Sequence, residues 1–184
     1  MGVAVALGSG AARLFFYPTL LYTLVRERLP GSQRPWFHRI DRAVLLGALP
    51  LRARSRREWE AMGVEQLRLS TVDLTGVPTL ENLQRGVEFV LKHRECGNSV
   101  YVHCKAGRSR SATMVAAYLI QLYQWSPQEA IEAITRIRPH ILVRPRQVQV
   151  LERFHRNVIA EAAAESQQEL PETLHQLPTT STSS

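Results

Sequence analysis

The chain has 184 residues and a mass of 20.8 kDa, a length that suits one globular domain. Its composition, with 45% hydrophobic and 21% charged residues, excludes a disordered, collagen-like or multi-span membrane protein. The net charge of +7 comes almost entirely from arginine, whose planar guanidinium suits phosphate-bearing partners such as phospholipids, nucleic acids or phosphoproteins. Two cysteines are too few for a disulfide framework, which favours a reducing compartment.

Residues 1–35 are predicted to form a targeting or membrane-proximal segment. The first forty residues hold five arginines and one acidic residue, Glu27, which is the acid-poor character of a mitochondrial targeting region. The apolar run Leu14–Val25 contains Pro18 and is shorter than the roughly 20 residues that span a bilayer. Two alternatives stay open for this run: a membrane-surface anchor, or a helix that packs on the domain.

Two strands are predicted next, on either side of an arginine-rich stretch. Ala43–Leu46 is a short apolar run that ends at the turn Gly47–Pro50. Residues 51–63 favour a solvated helix face, with a nucleic-acid or localisation patch as the alternative; their arginines are Arg52, Arg54, Arg56 and Arg57. Val64–Ser70 alternates as a strand does and leads into Asp73.

The remainder predicts helices around one further strand. Thr79 caps a helix that runs to about Glu95, and Ser99–His103 is the next strand. The later helices are expected over residues 110–124, from Ser126 to about 137, and over residues 145–165. This alternation implies an α/β domain over residues 36–165, with a mostly parallel central sheet flanked by helices. Residues 166–184, rich in Ser, Thr, Gln and Pro, predict a disordered tail.

The segment His103–Ser111 carries the chemistry, because it joins the last strand to a helix. The spacing of Cys104 and Arg110 lets the backbone N–H groups between them converge on one anion, aided by the positive end of the helix. In that field Cys104 becomes a thiolate nucleophile, and Arg110 can hold two phosphate oxygens at once. Gly107 permits the close turn, and Ser111 can donate a hydrogen bond to the thiolate.

Transfer of a phosphoryl group to a thiolate also needs an acid for the leaving oxygen. Asp73 is the candidate, since it follows a strand and precedes a small, flexible stretch; the alternative is that it caps a turn. Lys105 and Arg108 add two cations to the rim of the loop, either for an anionic substrate or as plain solvated charges. No metal cluster or other cofactor is expected, and the mechanism needs none.

This segment resembles the loop of the Cys-based dual-specificity branch of the protein tyrosine phosphatases, His-Cys-x-x-Gly-x-x-Arg-Ser/Thr. The chain is most similar to the phosphatases of that branch that act on phosphatidylglycerophosphate in mitochondria, over residues 14–24, 36–50, 63–76 and 101–120. The resemblance implies that Cys104 is the nucleophile, Arg110 the phosphate clamp and Asp73 the acid. It also implies a phosphate cradle formed by His103, Lys105, Ala106, Gly107, Arg108 and Ser109. The implied reaction is a step toward cardiolipin on the matrix side of the inner mitochondrial membrane.

One departure from the family concerns the connection after Pro50. Family members place a helix, a strand and a loop before the strand that leads to the acid, whereas here residues 51–63 fill that gap. We therefore expect an internally shortened chain that lacks one inner strand.

Two further functions stay open: a dual-specificity protein phosphatase, and a shortened protein that binds phosphate groups without turnover. Nucleic-acid binding is not expected because no aromatic residues interleave the arginines, and we expect a monomer at a membrane surface.

Overall fold

A computed structural model describes residues 35–50, 56–71 and 76–168. The targeting segment predicted over residues 1–35 falls outside these ranges except for Pro35, and most of the predicted tail also falls outside them. Asp73, Arg52 and Arg54 likewise lie outside the described residues.

The described residues form one three-stranded sheet, whose strands are β1 (Phe37–Arg39), β2 (Val44–Gly47) and β3 (Val100–His103). β2 lies in the middle, antiparallel to β1 and parallel to β3. The predicted α/β class with flanking helices is confirmed, although the sheet is small and only one of its two pairings is parallel. β1 was not predicted, because three residues are too few to show an alternating pattern.

The register of the sheet brings two loops together. Gly47, the last residue of β2, pairs with His103, the last residue of β3, so both strands end at the same edge. The Leu49 backbone N–H then donates to the carbonyl of Lys105 at 3.2 Å. The turn after β2 therefore supports the loop after β3, at the carboxyl edge where α/β sheets place their ligand sites.

Five helices are described: α1 (Arg56–Ala61), α2 (Leu80–Glu95), α3 (Arg110–Tyr123), α4 (Pro127–Ile137) and α5 (Pro145–Gln168). Their starts follow the predicted signals, since Thr79 accepts from the Asn82 N–H and Ser126 forms a capping box with Glu129. α5 corrects the predicted tail, because the helix continues to Gln168, three residues past the expected end of the domain. None of the described helices is both long enough and apolar enough to cross a membrane.

α3 is the central helix of the domain. Its residues from Ser111 to Ile120 are all buried, because α2, α4 and α5 pack around it and it contacts β2 and β3. Alanines 112, 116 and 117 let these neighbours approach closely. The loop that precedes α3 is therefore attached to the most firmly held element of the fold.

The strand predicted over Val64–Ser70 is wrong. These residues are described, but they belong to no strand and follow α1 as irregular backbone. A strand needs a neighbouring strand to satisfy its backbone groups, and residues 56–63, which fill the shortened connection, form a short helix and a turn instead. Leu69 still packs against the core as a partly buried side chain.

A hydrogen-bonded cluster around Tyr118 of α3 joins three elements. The Tyr118 hydroxyl donates to Asp41 at 2.6 Å, and Arg94 forms a 3.0 Å salt bridge with the same carboxylate oxygen. The other oxygen of Asp41 accepts from the N–H groups of Ala43 and Val44. Asp41 thereby fixes the start of β2 to α2 and α3.

Candidate active site

Cys104 lies directly after β3, in the loop of residues 104–111, which we call the phosphate loop. Its Sγ atom is 3.2 Å from the hydroxyl of Ser111, at the start of α3. The backbone N–H groups of Ser111 and Arg108 also point toward the sulfur, and the Arg110 charge acts on it. The structure thus brings together four residues that the sequence predicted to act as a unit.

The pKa of the Cys104 thiol reflects two opposing effects. Burial opposes the charged form and raises the pKa, but the hydrogen bonds from Ser111 and Arg108 and the charge of Arg110 outweigh it. The net result is a pKa below the ordinary value of a cysteine. The loop therefore favours the thiolate, which is the nucleophilic form.

Four carbonyl groups of the phosphate loop accept hydrogen bonds, three of them from residues outside the loop and its helix and the fourth from Thr113 in the first turn of α3. The Lys105 carbonyl accepts from Leu49 N–H, and the Arg108 carbonyl accepts from Leu142 N–H at 2.8 Å. The Gly107 carbonyl accepts from Nε of Arg138 at 2.9 Å, and the Ser109 carbonyl accepts from Thr113. Since N–H and C=O point in opposite directions across a trans peptide, carbonyls held outward leave the N–H groups facing the centre of the loop.

Gly107 is required where the loop meets the turn after β2. Its φ of +62° lies in the left-handed region, and a Cβ at this position would approach the carbonyl carbon of Gly47 to 2.4 Å. Any side chain here would push the phosphate loop away from the sheet. The predicted role of Gly107 as the residue of the close turn therefore agrees with the geometry.

The side chains of the predicted cradle residues differ in their contacts and in their exposure. Ser109 donates its hydroxyl to Oε1 of Gln147 at 2.9 Å, so its side chain anchors the loop to α5. The His103 ring stacks on Tyr101 with ring centroids 5.7 Å apart. Lys105 and Arg108 are partly exposed at the rim, as expected for cations that could meet a substrate, and Ala106 lies between them.

Arg110 extends toward the segment of residues 64–71, which we call the acid-side segment. Its Nη1 donates to the Thr71 hydroxyl at 3.4 Å. Asp73, the predicted acid, lies outside the described residues. Thr71 is therefore the described residue through which the acid-side segment contacts the predicted phosphate clamp.

Three residues in this site were missed from the sequence: Arg138, Gln147 and Thr71. Arg138 and Gln147 are buried polar side chains, with 0% and 3% of their surface exposed, and each holds the phosphate loop. They lie 28 and 37 residues after Arg110 in a chain with many polar residues, so no spacing singles them out.

The described residues contain no group of three His, Cys, Asp or Glu side chains that could hold a metal ion.

A thiolate held at the end of a parallel strand, with an arginine six residues later at the start of a helix, defines a cysteine-dependent phosphatase. The chain belongs to the dual-specificity phosphatases: residues 49–157 match the family described as "Dual specificity phosphatase, catalytic domain". The family expected from the loop motif is confirmed.

Beyond the family match, individual proteins are similar to this chain over most of its length. The chain is 55% identical to "Phosphatidylglycerophosphatase and protein-tyrosine phosphatase 1" of Rattus norvegicus, over 89% of this chain and 99% of the relative. It is 36% identical to "Phosphatidylglycerophosphate phosphatase PTPMT2" of Arabidopsis thaliana, over 82% of this chain and 76% of the relative. Its structure is similar to the crystal structure of PTPMT1 in complex with PI(5)P, with a TM-score of 0.68 and 53% identity, over 70% of this chain and 99% of that chain.

The comparison with the rat relative also bears on the expected shortening. The alignment spans 191 positions, whereas 89% of this chain is only about 164 residues. Roughly 27 positions of the relative therefore have no counterpart in this chain. This difference agrees with the small sheet and with the lack of a strand over residues 56–71, the described part of the connection after β2.

Proposed function

We propose that this chain hydrolyses a phosphomonoester through a phosphocysteine intermediate, and that its substrate is phosphatidylglycerophosphate. One observation carries the proposal: the Cys104 sulfur receives hydrogen bonds from Ser111 and Arg108 and faces the charge of Arg110. A buried structural cysteine needs none of these groups. A nucleophile that must be ionised near neutral pH needs all of them.

In the first step the Cys104 thiolate attacks phosphorus, and the bond between phosphorus and the ester oxygen breaks. Arg110 and the N–H groups of the phosphate loop hold the equatorial oxygens, where charge must be balanced in the transition state. Asp73, the acid predicted from the sequence, gives a proton to the leaving oxygen. In the second step water attacks the phosphocysteine, Asp73 takes its proton, and Ser111 donates to the departing thiolate.

The choice of phospholipid rests on the named relatives and on charge. The rat and Arabidopsis relatives carry phosphatidylglycerophosphate phosphatase activity in their names, and the PTPMT1 crystal contains a phosphoinositide. The net charge of +7 favours association with an anionic membrane surface. We further propose a mitochondrial location, because the first forty residues are rich in arginine and poor in acids. Within mitochondria we propose that the protein acts as a monomer on the matrix side of the inner membrane, in the route to cardiolipin.

A protein phosphatase activity is the second candidate, since the names of the rat relative and of the matched family both include it. The same loop serves both substrates, because each presents a phosphate dianion to the thiolate. The two differ in what surrounds the phosphate, which is an anionic glycerol headgroup in one case and a peptide in the other.

The test measures phosphate release by the purified chain from phosphatidylglycerophosphate in vesicles and from a phosphotyrosine peptide. The rat relative, which contains the additional positions, is the positive control, and Cys104→Ser is the negative control. Faster turnover of the lipid, lost in Cys104→Ser, is expected. Faster turnover of the peptide would favour the second candidate. A silent chain beside an active rat relative would contradict both and leave a protein that binds phosphate groups without turnover.

The proposed location needs a separate measurement. Protease treatment of intact mitochondria and of mitoplasts should leave the protein undigested in both, until detergent opens the inner membrane. Digestion in mitoplasts would instead put the protein on the outer face of the inner membrane.

A further inference from the structure

Arg138 is a fully buried arginine that contacts the phosphate loop through the carbonyl of Gly107. Its Nε donates to the carbonyl of Gly107 at 2.9 Å. Its Nη1 donates to the carbonyl of Pro35 at 3.0 Å and lies 2.9 Å from Nδ1 of His38. One guanidinium thus links the phosphate loop to the chain that enters β1 and to β1 itself.

The bond to Gly107 has a consequence on the other side of the same peptide group. The Gly107 carbonyl and the Arg108 N–H belong to one peptide, and no cis peptide is found in the described chain. A trans peptide directs these two groups in opposite directions. When Arg138 holds the carbonyl outward, the Arg108 N–H must point inward, where it meets the Cys104 sulfur.

His38 completes this arrangement as a hydrogen-bond acceptor. Arg138 has only donors, so the Nδ1 atom of His38 must accept, which requires an unprotonated nitrogen. Burial and the Arg138 charge both lower the pKa of His38, so the ring is neutral near pH 7. A neutral His38 therefore accepts from Nη1 of Arg138 while Nε of the same guanidinium donates to Gly107.

We propose that Arg138 is a positioning residue for the phosphoryl-transfer reaction. It sets the orientation of the Gly107–Arg108 peptide and thereby the number of N–H groups that face the nucleophile and the phosphate. It touches neither substrate nor sulfur. The inference rests on the proposed function only in taking Cys104 as the nucleophile.

The experiment measures alkylation of Cys104 by iodoacetamide as a function of pH, a readout that reports the thiolate and needs no turnover. All variants carry Cys96→Ser, because Cys96 is an exposed second thiol. Arg138→Met removes the donors and the charge at similar length, whereas Arg138→Lys keeps the charge but cannot donate to Gly107, Pro35 and His38 together. Tyr118→Phe is the matched control, since it removes a buried hydrogen bond away from the phosphate loop.

We expect Arg138→Met and Arg138→Lys both to slow alkylation at pH 6 by up to about tenfold, as expected when a hydrogen bond to a charged group is lost. Tyr118→Phe should lower the free energy of unfolding and leave the alkylation profile unchanged. A parental profile in folded Arg138→Met would overturn the inference. A parental profile in Arg138→Lys would also overturn it, because charge alone would then account for the effect; this variant decides the matter if Arg138→Met does not fold.

Discussion

The phosphate loop and the acid-side segment supply the two halves of the proposed reaction, and they are held in very different ways. The phosphate loop follows a paired strand, precedes the central helix and has three carbonyls bonded by residues from outside the loop. The acid-side segment pairs with no strand among the described residues; Val64 N–H donates to the Trp59 carbonyl in α1, and the other described polar contacts join the segment to side chains of α2 and to Arg110. The loop that carries the nucleophile is held through its backbone carbonyls by distant parts of the chain, whereas the described acid-side segment is held mainly through side-chain contacts.

Removal of the nucleophile gives the largest effect. Cys104→Ser should lower the rate of phosphate release at least about 10³-fold, because an alcohol is not ionised near neutral pH. Phosphate or vanadate should still stabilise the variant against heat, since the N–H groups of the loop remain. Release that continues at the parental rate would show that another group performs the attack.

The second-largest effect is expected at Arg110, the predicted phosphate clamp. Arg110→Lys should lower kcat about 10²-fold, because a lysine cannot hold two phosphate oxygens in one plane. Steady-state kinetics on a soluble phosphomonoester would separate kcat from KM. Arg153→Lys on the exposed face of α5 is the matched control and should retain the parental values.

Ser111→Ala should change the dependence of activity on pH. Loss of the Ser111 hydroxyl raises the pKa of Cys104, so less thiolate is present at any pH below that pKa and the acid limb moves to higher pH. At pH 5 activity should fall about tenfold, the order expected for one hydrogen bond to a charged group, and at high pH the ionisation defect should disappear. An acid limb unchanged from the parental protein would mean that Ser111 does not bond the thiolate.

The smallest effect is expected in the acid-side segment. Leu69→Ala should lower the free energy of unfolding by no more than about 1 kcal/mol, because Leu69 is only partly buried and its segment can adjust. Leu83→Ala in α2, a fully buried leucine, is the matched control and should cost about 2–5 kcal/mol. Urea unfolding of both variants makes the comparison, and equal losses would indicate that the acid-side segment is as firmly packed as the helices.

Local signals account for what could be predicted from the sequence. Thr79 and Ser126 placed two helix starts, because a cap depends on residues within one turn. The motif from His103 to Ser111 identified the nucleophile, the clamp and their strand–loop–helix setting for the same reason. Val64–Ser70 has a strand's alternation, yet it pairs with nothing in the described chain, because pairing is decided by residues far away in sequence.

By itself, then, the sequence determined the chemistry of the loop, since the thiol, the guanidinium and the turn glycine are adjacent along the chain. Only the tertiary structure decided what supports that loop: Leu49 beside Lys105, Gln147 beside Ser109 and Arg138 beneath Gly107. These contacts join residues between 31 and 56 positions apart. They form because β2, β3, α3 and α5 share one core, and burial of apolar surface acts without regard to separation along the chain.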